Sequence, residues 1–195
     1  YFVVRVSKTP QKSGYWKKQP ELKGAAKDWD VYSGKYKIYD NYGRDMAGND
    51  IGYFMSFDLK EGEQVEVQVG VSFVSIANAR ENLDAEQPTR DFARVEHESH
   101  DVWAKTLGRI TVEGGTDEQR RVFYTALYHT QIHPNILQDV NGEYPCMEGD
   151  EILKTSTNRY TVFSLWDTYR NLTQLQTLLF PDKQEQMIGS MIDMY

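Results

Sequence analysis

The sequence predicts two regions of different class in succession, an antiparallel β-sheet region followed by an all-helical region. Four valines alternate with other residues between positions 65 and 71, which is the period of a strand with one buried face. From Ser75 onward, apolar residues recur every three or four positions, as in amphipathic helices. Because strands and helices are grouped along the chain, an alternating α/β fold is disfavoured.

The first 74 residues carry the strand signals. Four runs rich in β-branched and aromatic residues lie between clusters of Gly, Asn and Asp, at positions 2–6, 36–39, 53–59 and 65–73. Residues 9–34 are rich in Lys, Gly and Pro, and we predict a long exposed excursion there. Residues 1–74 are therefore expected to form antiparallel sheet layers.

Two helices are predicted to follow the sheet region. Ile76, Ala79 and Leu83 share one helical face, and the apolar residues between positions 92 and 107 form a second face. A short extended link then closes at Gly114–Gly115. We place a domain boundary at this glycine pair, so residues 75–115 are predicted to be a helical linker with a connecting strand.

Residues 116–195 show helical hairpin patterns. The sequence Thr116-Asp-Glu-Gln119 is a capping box that predicts a helix over 116–133, ended by Pro134. Residues 135–158 are predicted to be a long loop, with a hairpin possible at its Asn-Gly turn. A second helix is predicted over 161–180, and a third apolar face begins after Asp182.

Both predicted helices, 116–133 and 161–180, are expected to carry apolar faces that find no partner inside this chain. The chain opens on residues that suggest a strand already under way and closes in mid-pattern of a helix. We therefore expect a fragment of a larger protein.

Composition excludes several functional classes. The formal net charge of −7 and a pI near 5.1 argue against a nucleic-acid partner. No segment approaches the roughly 20 apolar residues of a transmembrane helix, so no membrane span is predicted. The sequence lacks a phosphate-binding glycine loop, a His-Glu-x-x-His motif, a Gly-x-Ser-x-Gly motif and an EF-hand loop.

The histidines and the cysteine give weaker signals. His129 and His133, four residues apart, have the spacing of two metal ligands on one helix face, yet no third ligand is evident. Histidines that bond backbone carbonyl groups at a helix end fit the same pattern. Cys146, the only cysteine, cannot form an internal disulfide and lies in a loop without a nucleophile signature.

An aromatic run from Tyr160 to Arg170 contains the pair Trp166–Asp167. An indole ring can cover the apolar C–H face of a pyranose while a carboxylate accepts hydrogen bonds from its hydroxyl groups. The structural alternative is a helix whose Trp packs in the core and whose Asp either caps the helix or pairs with Arg170. Residue types alone leave both interpretations open.

Five segments carry a resemblance to a known family. In chain order they are Val65-Glu-Val-Gln-Val-Gly-Val through Leu83, Gly114-Gly-Thr-Asp-Glu-Gln through Thr130, Pro134-Asn135, Asp139-Val-Asn-Gly142, and Tyr160-Thr-Val-Phe-Ser-Leu-Trp-Asp-Thr-Tyr-Arg170. Together they resemble glycoside hydrolase family 92, the calcium-dependent exo-acting α-mannosidases that are often α-1,2-specific and abundant in gut Bacteroidetes. The match runs through most of residues 53–195.

The resemblance implies a fold. It implies that residues 1–74 are the end of an N-terminal antiparallel β-sandwich, that 75–115 are a helical linker, and that 116–195 are the first helices of an (α/α)6 barrel. It implies further that the remainder of the parent catalytic domain completes the barrel.

The resemblance also implies a function, the hydrolysis of terminal mannose from glycans with inversion and with Ca²⁺. In the family, the catalytic glutamate and aspartate and the calcium ligands lie in later barrel segments. No catalytic or metal-binding residue is therefore assigned in this chain, which is expected to be inactive alone. The parent is expected in the periplasm, on the surface or outside a bacterium.

Three residues match substrate-binding positions of the family. Trp166 and Asp167 match its Trp-Asp motif and are expected to line the pocket for the terminal mannose. Asp139 matches an aspartate of the family's loop and is a third substrate-binding candidate. The segment Pro145-Cys146-Met147 departs from the Arg-Gly continuation common in the family. Two rival functions remain, another sandwich-plus-(α/α)6 hydrolase or phosphorylase, and a non-catalytic carbohydrate-binding module.

Overall fold

The structure is a computed structural model that describes residues 1–18, 35–41 and 48–194. It divides into two compact units, which are described separately. The first unit is Tyr1–Arg5 with Gln68–Tyr195, and the second is Val6–Val67.

The elements follow the predicted order of strands and then helices. The strands are β1 Phe2–Val6, β2 Lys12–Lys18, β3 Tyr36–Asp40, β4 Ile51–Ser56, β5 Val67–Val71, β6 Asn135–Ile136, β7 Glu143–Pro145, β8 Ile152–Lys154 and β9 Tyr160–Thr161. The helices are α1 Ile76–Glu86, α2 Phe92–Leu107, α3 Asp117–His129, α4 Leu165–Thr168, α5 Leu172–Leu179 and α6 Pro181–Ile192.

The second unit is built on a three-stranded antiparallel sheet in the order β3-β2-β4. Tyr15 on β2 lies opposite Tyr53 on β4, and their ring centroids are 4.9 Å apart in an edge-to-face arrangement. Trp16 makes a similar contact with Tyr36 at 5.1 Å. Such cross-strand aromatic pairs stabilise a sheet by packing on one face.

The prediction of an excursion over residues 9–34 is wrong for Lys12–Lys18, which form the central strand of this sheet. The lysines at positions 12, 17 and 18 obscured a strand whose middle, Gly14 to Trp16, is packed by its neighbours. Residues 19–34 of the predicted excursion lie outside the described residues. Strand β4 begins and ends two to three residues earlier than predicted.

In the first unit, strand β5 pairs with β1 and turns its non-valine face inward. Gln68, Gly70 and Ser72 are buried, whereas Val69 and Val71 are 51% and 63% exposed. The alternation was predicted, but the covered face is the one without valines. Helix α1 lies directly against the strand backbone, and a side chain at position 70 would collide with α1.

Side-chain caps begin the first three helices, and the one at α3 was predicted from the sequence. Ser75 and Asp91 accept backbone N–H groups at the starts of α1 and α2. Thr116 and Gln119 form the predicted capping box at the start of α3. Arg109, in the link before α3, donates to the carbonyl oxygen of Leu179.

The loop between α3 and α4 contains short strands. The chain turns tightly at residues 139–142, where the Gly142 amide donates to the Asp139 carbonyl oxygen at 2.8 Å. Strands β7 and β8 then form a small antiparallel hairpin, and β6 pairs with β9. The predicted loop is thus an ordered set of turns and two-stranded ladders.

The predicted single helix over 161–180 is wrong, because strand β9 and two separate helices, α4 and α5, occupy this range. Tyr160 donates its backbone N–H to the hydroxyl group of Ser190, and Val162 adopts a φ of 64°, so the backbone is not helical there. Asn171 then interrupts the helix, with a φ of −148°. The apolar residues of 161–180, which the sequence places on one helical face, are thus distributed over α4, α5 and the non-helical residues around them.

The prediction that the apolar faces of segments 116–133 and 161–180 find no partner in this chain is confirmed only in part, because Leu165 is 57% exposed whereas Leu127 is buried. Val122 on α3 is 65% exposed, and Leu178 on α5 is 79% exposed. The side chains that are packed in this unit include Leu127, Phe180 and Met187, each less than a tenth exposed. None of the described helices has both the length and the apolar composition required to cross a bilayer.

Candidate functional site

Helix α4 presents the predicted pair Trp166–Asp167. This helix is a single turn that starts after Ser164, and the Asp167 backbone N–H donates to the Ser164 carbonyl oxygen at 3.1 Å. The hydroxyl group of Ser164 donates to Oδ2 of Asp167 at 2.5 Å. The side chain of Trp166 is 75% exposed. The pair therefore projects from the surface of the described chain.

Arg170 lies beside the Trp166 ring. Its guanidinium carbon is 5.9 Å from the Trp166 ring centroid and 5.6 Å from the centroid of Tyr169. Its Nε donates to the Tyr169 hydroxyl group at 3.2 Å. No ion pair joins Arg170 to Asp167 within the described residues. The structural alternative is not realised among the described residues, since Trp166 is not packed in a core and Asp167 bonds the Ser164 hydroxyl group rather than a backbone N–H group or Arg170.

Asp139, the third substrate-binding candidate, is buried and only 5% exposed. Its Oδ2 accepts hydrogen bonds from the Ser72 hydroxyl group at 2.6 Å and from Asn78 Nδ2 at 2.8 Å. Its Oδ1 accepts a hydrogen bond from Asn82 Nδ2 at 2.7 Å. Three neutral donors thus hold both oxygens, as a buried carboxylate requires.

This network fastens the loop after α3 to strand β5 and helix α1. Asn82 also donates to the carbonyl oxygen of Val71 and accepts the backbone N–H of Val140. Asn78 donates to Glu143 Oε2 at 2.9 Å. A sugar hydroxyl group would have to share Asp139 with donors already in place, and its predicted contact with substrate stays a prediction.

An apolar cavity of about 650 Å³ opens beside α4. Its wall includes Phe163, Leu165 and Tyr169 from the α4 region, together with His129 and His133. Trp166 and Asp167 are not among its lining residues. A second cleft, of about 750 Å³ and richer in polar groups, includes Asp139. The three predicted substrate-binding residues thus do not line one cavity in the described chain.

The histidine pair and the cysteine noted in the sequence do not form a metal site among the described residues. His129 and His133 are both exposed beside the apolar cavity, and Cys146 is half-buried. In residues 1–18, 35–41 and 48–194, no group of three or more His, Cys, Asp or Glu side chains is arranged to hold a metal ion. No cluster of these side chains is therefore assigned to calcium within the described residues.

Sequence reasoning missed the contacts around Trp166 and Asp167. Tyr169 and Arg170 lie three and four positions after Trp166, a spacing that places side chains together on a helix. Only the spacing of three residues between Asp167 and Arg170 is considered in the sequence analysis, where it predicts an ion pair. The roles of Ser72, Asn78 and Asn82 had no sequence signal, because these residues lie 57 to 67 positions away from Asp139 along the chain.

Comparison with known proteins identifies the family. The model of the glycosyl hydrolase family 92 catalytic domain matches residues 78–195 of this chain. The chain belongs to glycosyl hydrolase family 92. The matched range starts within α1 and includes the Asp139 network and the Trp166–Asp167 pair. Among curated proteins, none matches the chain.

Solved structures of family 92 enzymes share the fold. An inverting mannosidase of the family from Bacteroides thetaiotaomicron VPI-5482 matches with a TM-score of 0.79 and 26% identity, over 99% of this chain and 24% of that chain. An α-mannosidase of the family from Bacteroides thetaiotaomicron matches with a TM-score of 0.76 and 29% identity, over 100% of this chain and 25% of that chain.

The latter α-mannosidase also matches in a structure that contains mannoimidazole. A family 92 glycosyl hydrolase called ccman5 has a TM-score of 0.77 at 21% identity, and this likeness shows the fold alone. The chain thus spans about a quarter of the length of these solved relatives. Its antiparallel sheet followed by helices is the arrangement of a family 92 segment.

Proposed function

We propose that the intact protein containing this chain is an exo-acting α-mannosidase, with α-1,2 linkages as its substrate, and that Trp166 and Asp167 contact the terminal mannose. The observation that carries this proposal is the exposed Trp166 next to the Asp167 carboxylate, which no cation of the described residues pairs with, on a chain that belongs to family 92. Two solved relatives of the family are mannosidases, which supports the substrate class.

The chemistry of the pair suits a sugar. The exposed indole offers an apolar face to pyranose C–H groups. The Ser164 hydroxyl group donates to Oδ2 of Asp167, and no hydrogen bond from the described residues occupies the other oxygen, which could accept sugar hydroxyl groups. Because no cation neutralises Asp167 among the described residues, its hydrogen bonds to hydroxyl groups would be charge-assisted.

We propose that hydrolysis proceeds with inversion and that its acid and base lie in other parts of the intact protein. An inverting pair leaves room for a water molecule between the two carboxyl groups. Calcium would supply positive charge near the sugar hydroxyl groups, and its ligands are also expected outside the described residues. We also propose that residues 1–74 are the end of a β-sandwich, that residues 75–115 are the linker, and that residues 116–195 begin an (α/α)6 barrel.

The test compares mannose release from α-1,2-mannobiose by the intact protein and by the 195-residue chain. We expect release by the intact protein, loss of release when calcium is chelated, and no release by the chain alone. Comparable hydrolysis of α-glucosides would favour another hydrolase class. Binding of glycan without hydrolysis by the intact protein would favour a carbohydrate-binding module.

Variants of the intact protein locate the sugar contact. Asp167→Asn keeps the shape but removes the charge, so we expect about a tenfold or larger loss in kcat/KM. Asp150→Asn, at an exposed loop position, is the matched control and should leave kcat/KM unchanged. Equal activity of both variants would contradict the proposed contact.

A glycan substrate is consistent with a bacterial periplasmic, surface or secreted enzyme.

A further inference from the structure

Three side chains of the α4 region lie together on its surface. Trp166, Tyr169 and Arg170 have the relative spacing of three and four residues that aligns side chains on a helix. The ring centroids of Trp166 and Tyr169 are 6.1 Å apart, with 46° between their planes. Both rings are more than half exposed, at 75% and 52%. They form a two-ring surface, which we call the aromatic platform.

Arg170 is the one cation that the structure places against both rings of the aromatic platform in the described chain. Its guanidinium carbon lies within 6 Å of each ring centroid, the range of a cation–π interaction. The Tyr169 hydroxyl group accepts a hydrogen bond from Nε, which fixes the plane of the guanidinium group. An exposed indole without such a contact would sample several rotamers and lose that freedom on binding.

The two polar groups near the platform have separate anchors. Asp167 is held by the Ser164 hydroxyl group, and Arg170 is held by Tyr169. Arg170 therefore does not neutralise the carboxylate that would accept sugar hydroxyl groups. Its contacts are with aromatic rings, and this arrangement separates ring positioning from hydroxyl recognition.

We propose that Arg170 is a positioning residue that holds the aromatic platform ready for the C–H face of a pyranose, without touching the sugar. This inference rests on the proposed function of Trp166 and Asp167. Because Lys lacks a planar group with an Nε donor, it cannot replace Arg170 in this role. The contribution of Arg170 is to substrate binding, in the ground state and in the transition state alike.

The test measures kcat and KM of the intact protein on α-1,2-mannobiose. Arg170→Gln and Arg170→Lys should raise KM about three- to tenfold and leave kcat nearly unchanged, the pattern of lost uniform binding. Acrylamide quenching of tryptophan fluorescence should rise in both variants, and Trp166→Phe should abolish that rise. Arg121→Gln, at an exposed position on α3, is the matched control and should change neither constant.

Tyr169→Phe provides a second route that keeps the ring and removes only the hydroxyl acceptor. It should raise KM about two- to threefold alone and have no added effect in the Arg170→Gln background, as expected for one coupled unit. An unchanged KM in Tyr169→Phe and in Arg170→Gln, with a raised KM in Trp166→Ala, would overturn this inference and leave the proposed function standing. An unchanged KM in Trp166→Ala would overturn both.

Discussion

Replacing Asp139 by Asn should destabilise the first unit, because its carboxylate accepts three hydrogen bonds while 95% of its surface is covered. The Asn side chain has the same shape but offers one acceptor oxygen and one N–H₂ donor. When the oxygen of the new Asn side chain faces Ser72 and Asn78, its N–H₂ group faces the N–H₂ group of Asn82. Two donors then face each other.

The magnitude follows from these contacts. The bond from Asn82 is lost, and a hydrogen bond to a charged group contributes about 1.5 to 3 kcal/mol. Asn82 cannot invert its amide without losing its bonds to Val71 and Val140. The two remaining bonds weaken because the acceptor is neutral, and the easier burial of a neutral group offsets part of this loss. We expect a net loss of about 2 to 3 kcal/mol in the free energy of unfolding.

Urea unfolding followed by far-UV circular dichroism measures this loss. All helices of the described residues lie in the first unit, so the helical signal reports on that unit. The midpoint should fall by about 1 to 2 M urea. Asp150→Asn, exposed in the β7–β8 turn, should leave the midpoint unchanged. A loss below about 0.5 kcal/mol for Asp139→Asn would refute a structural role for the carboxylate.

Four further measurements test local features of the chain. Gly70→Ala would push a Cβ into α1, 2.7 Å from the nearest side-chain carbon, and should cost about 1 to 3 kcal/mol. Gly189→Ala meets open space in α6 and should stabilise the helix by about 0.5 to 1 kcal/mol. The hydrogen bond from Lys8 lowers the pKa of Glu63. The stability that Glu63 adds is therefore present above its ordinary pKa of 4.5 and is lost as pH falls through the lowered value. Lys8→Met should raise the pKa of Glu63 in an NMR titration. Burial raises the pKa of Tyr160, so its phenol should ionise above the ordinary pKa of 10.0 in an absorbance titration, and the stability it contributes is lost as pH rises beyond that value.

Each of these measurements has an outcome that would contradict its reasoning. Gly70→Ala and Gly189→Ala serve as controls for each other. Equal free energies of unfolding for the two variants would mean that the close approach of α1 to β5 does not require a glycine at position 70. A Glu63 pKa unmoved by Lys8→Met would show that the ion pair does not set it. Tyr160→Phe identifies the late phenol in the titration, and ionisation of Tyr160 at or below pH 10.0 would contradict its burial.

Local signals allowed much of the fold to be predicted. The capping box at Thr116, the change of period at Ser75 and the alternation around Val69 depend on neighbouring residues only, and the structure confirms the elements that they predict. Two errors came from tertiary contacts. Strand β2 is stabilised by partners on both sides, and the segment after Tyr160 gives its backbone bonds to β6 and Ser190 rather than to a helix.

The candidate site divides in the same way. The Trp166–Asp167 pair lies in eleven consecutive residues, and the likeness to family 92 lies in five segments in chain order, so the sequence by itself determined both. Only the tertiary structure decided that Asp139 bonds Ser72, Asn78 and Asn82, and that Arg170 contacts rings rather than Asp167. The reason is that residue order fixes local spacing, whereas the partner of a buried or clustered side chain depends on which distant segments pack around it.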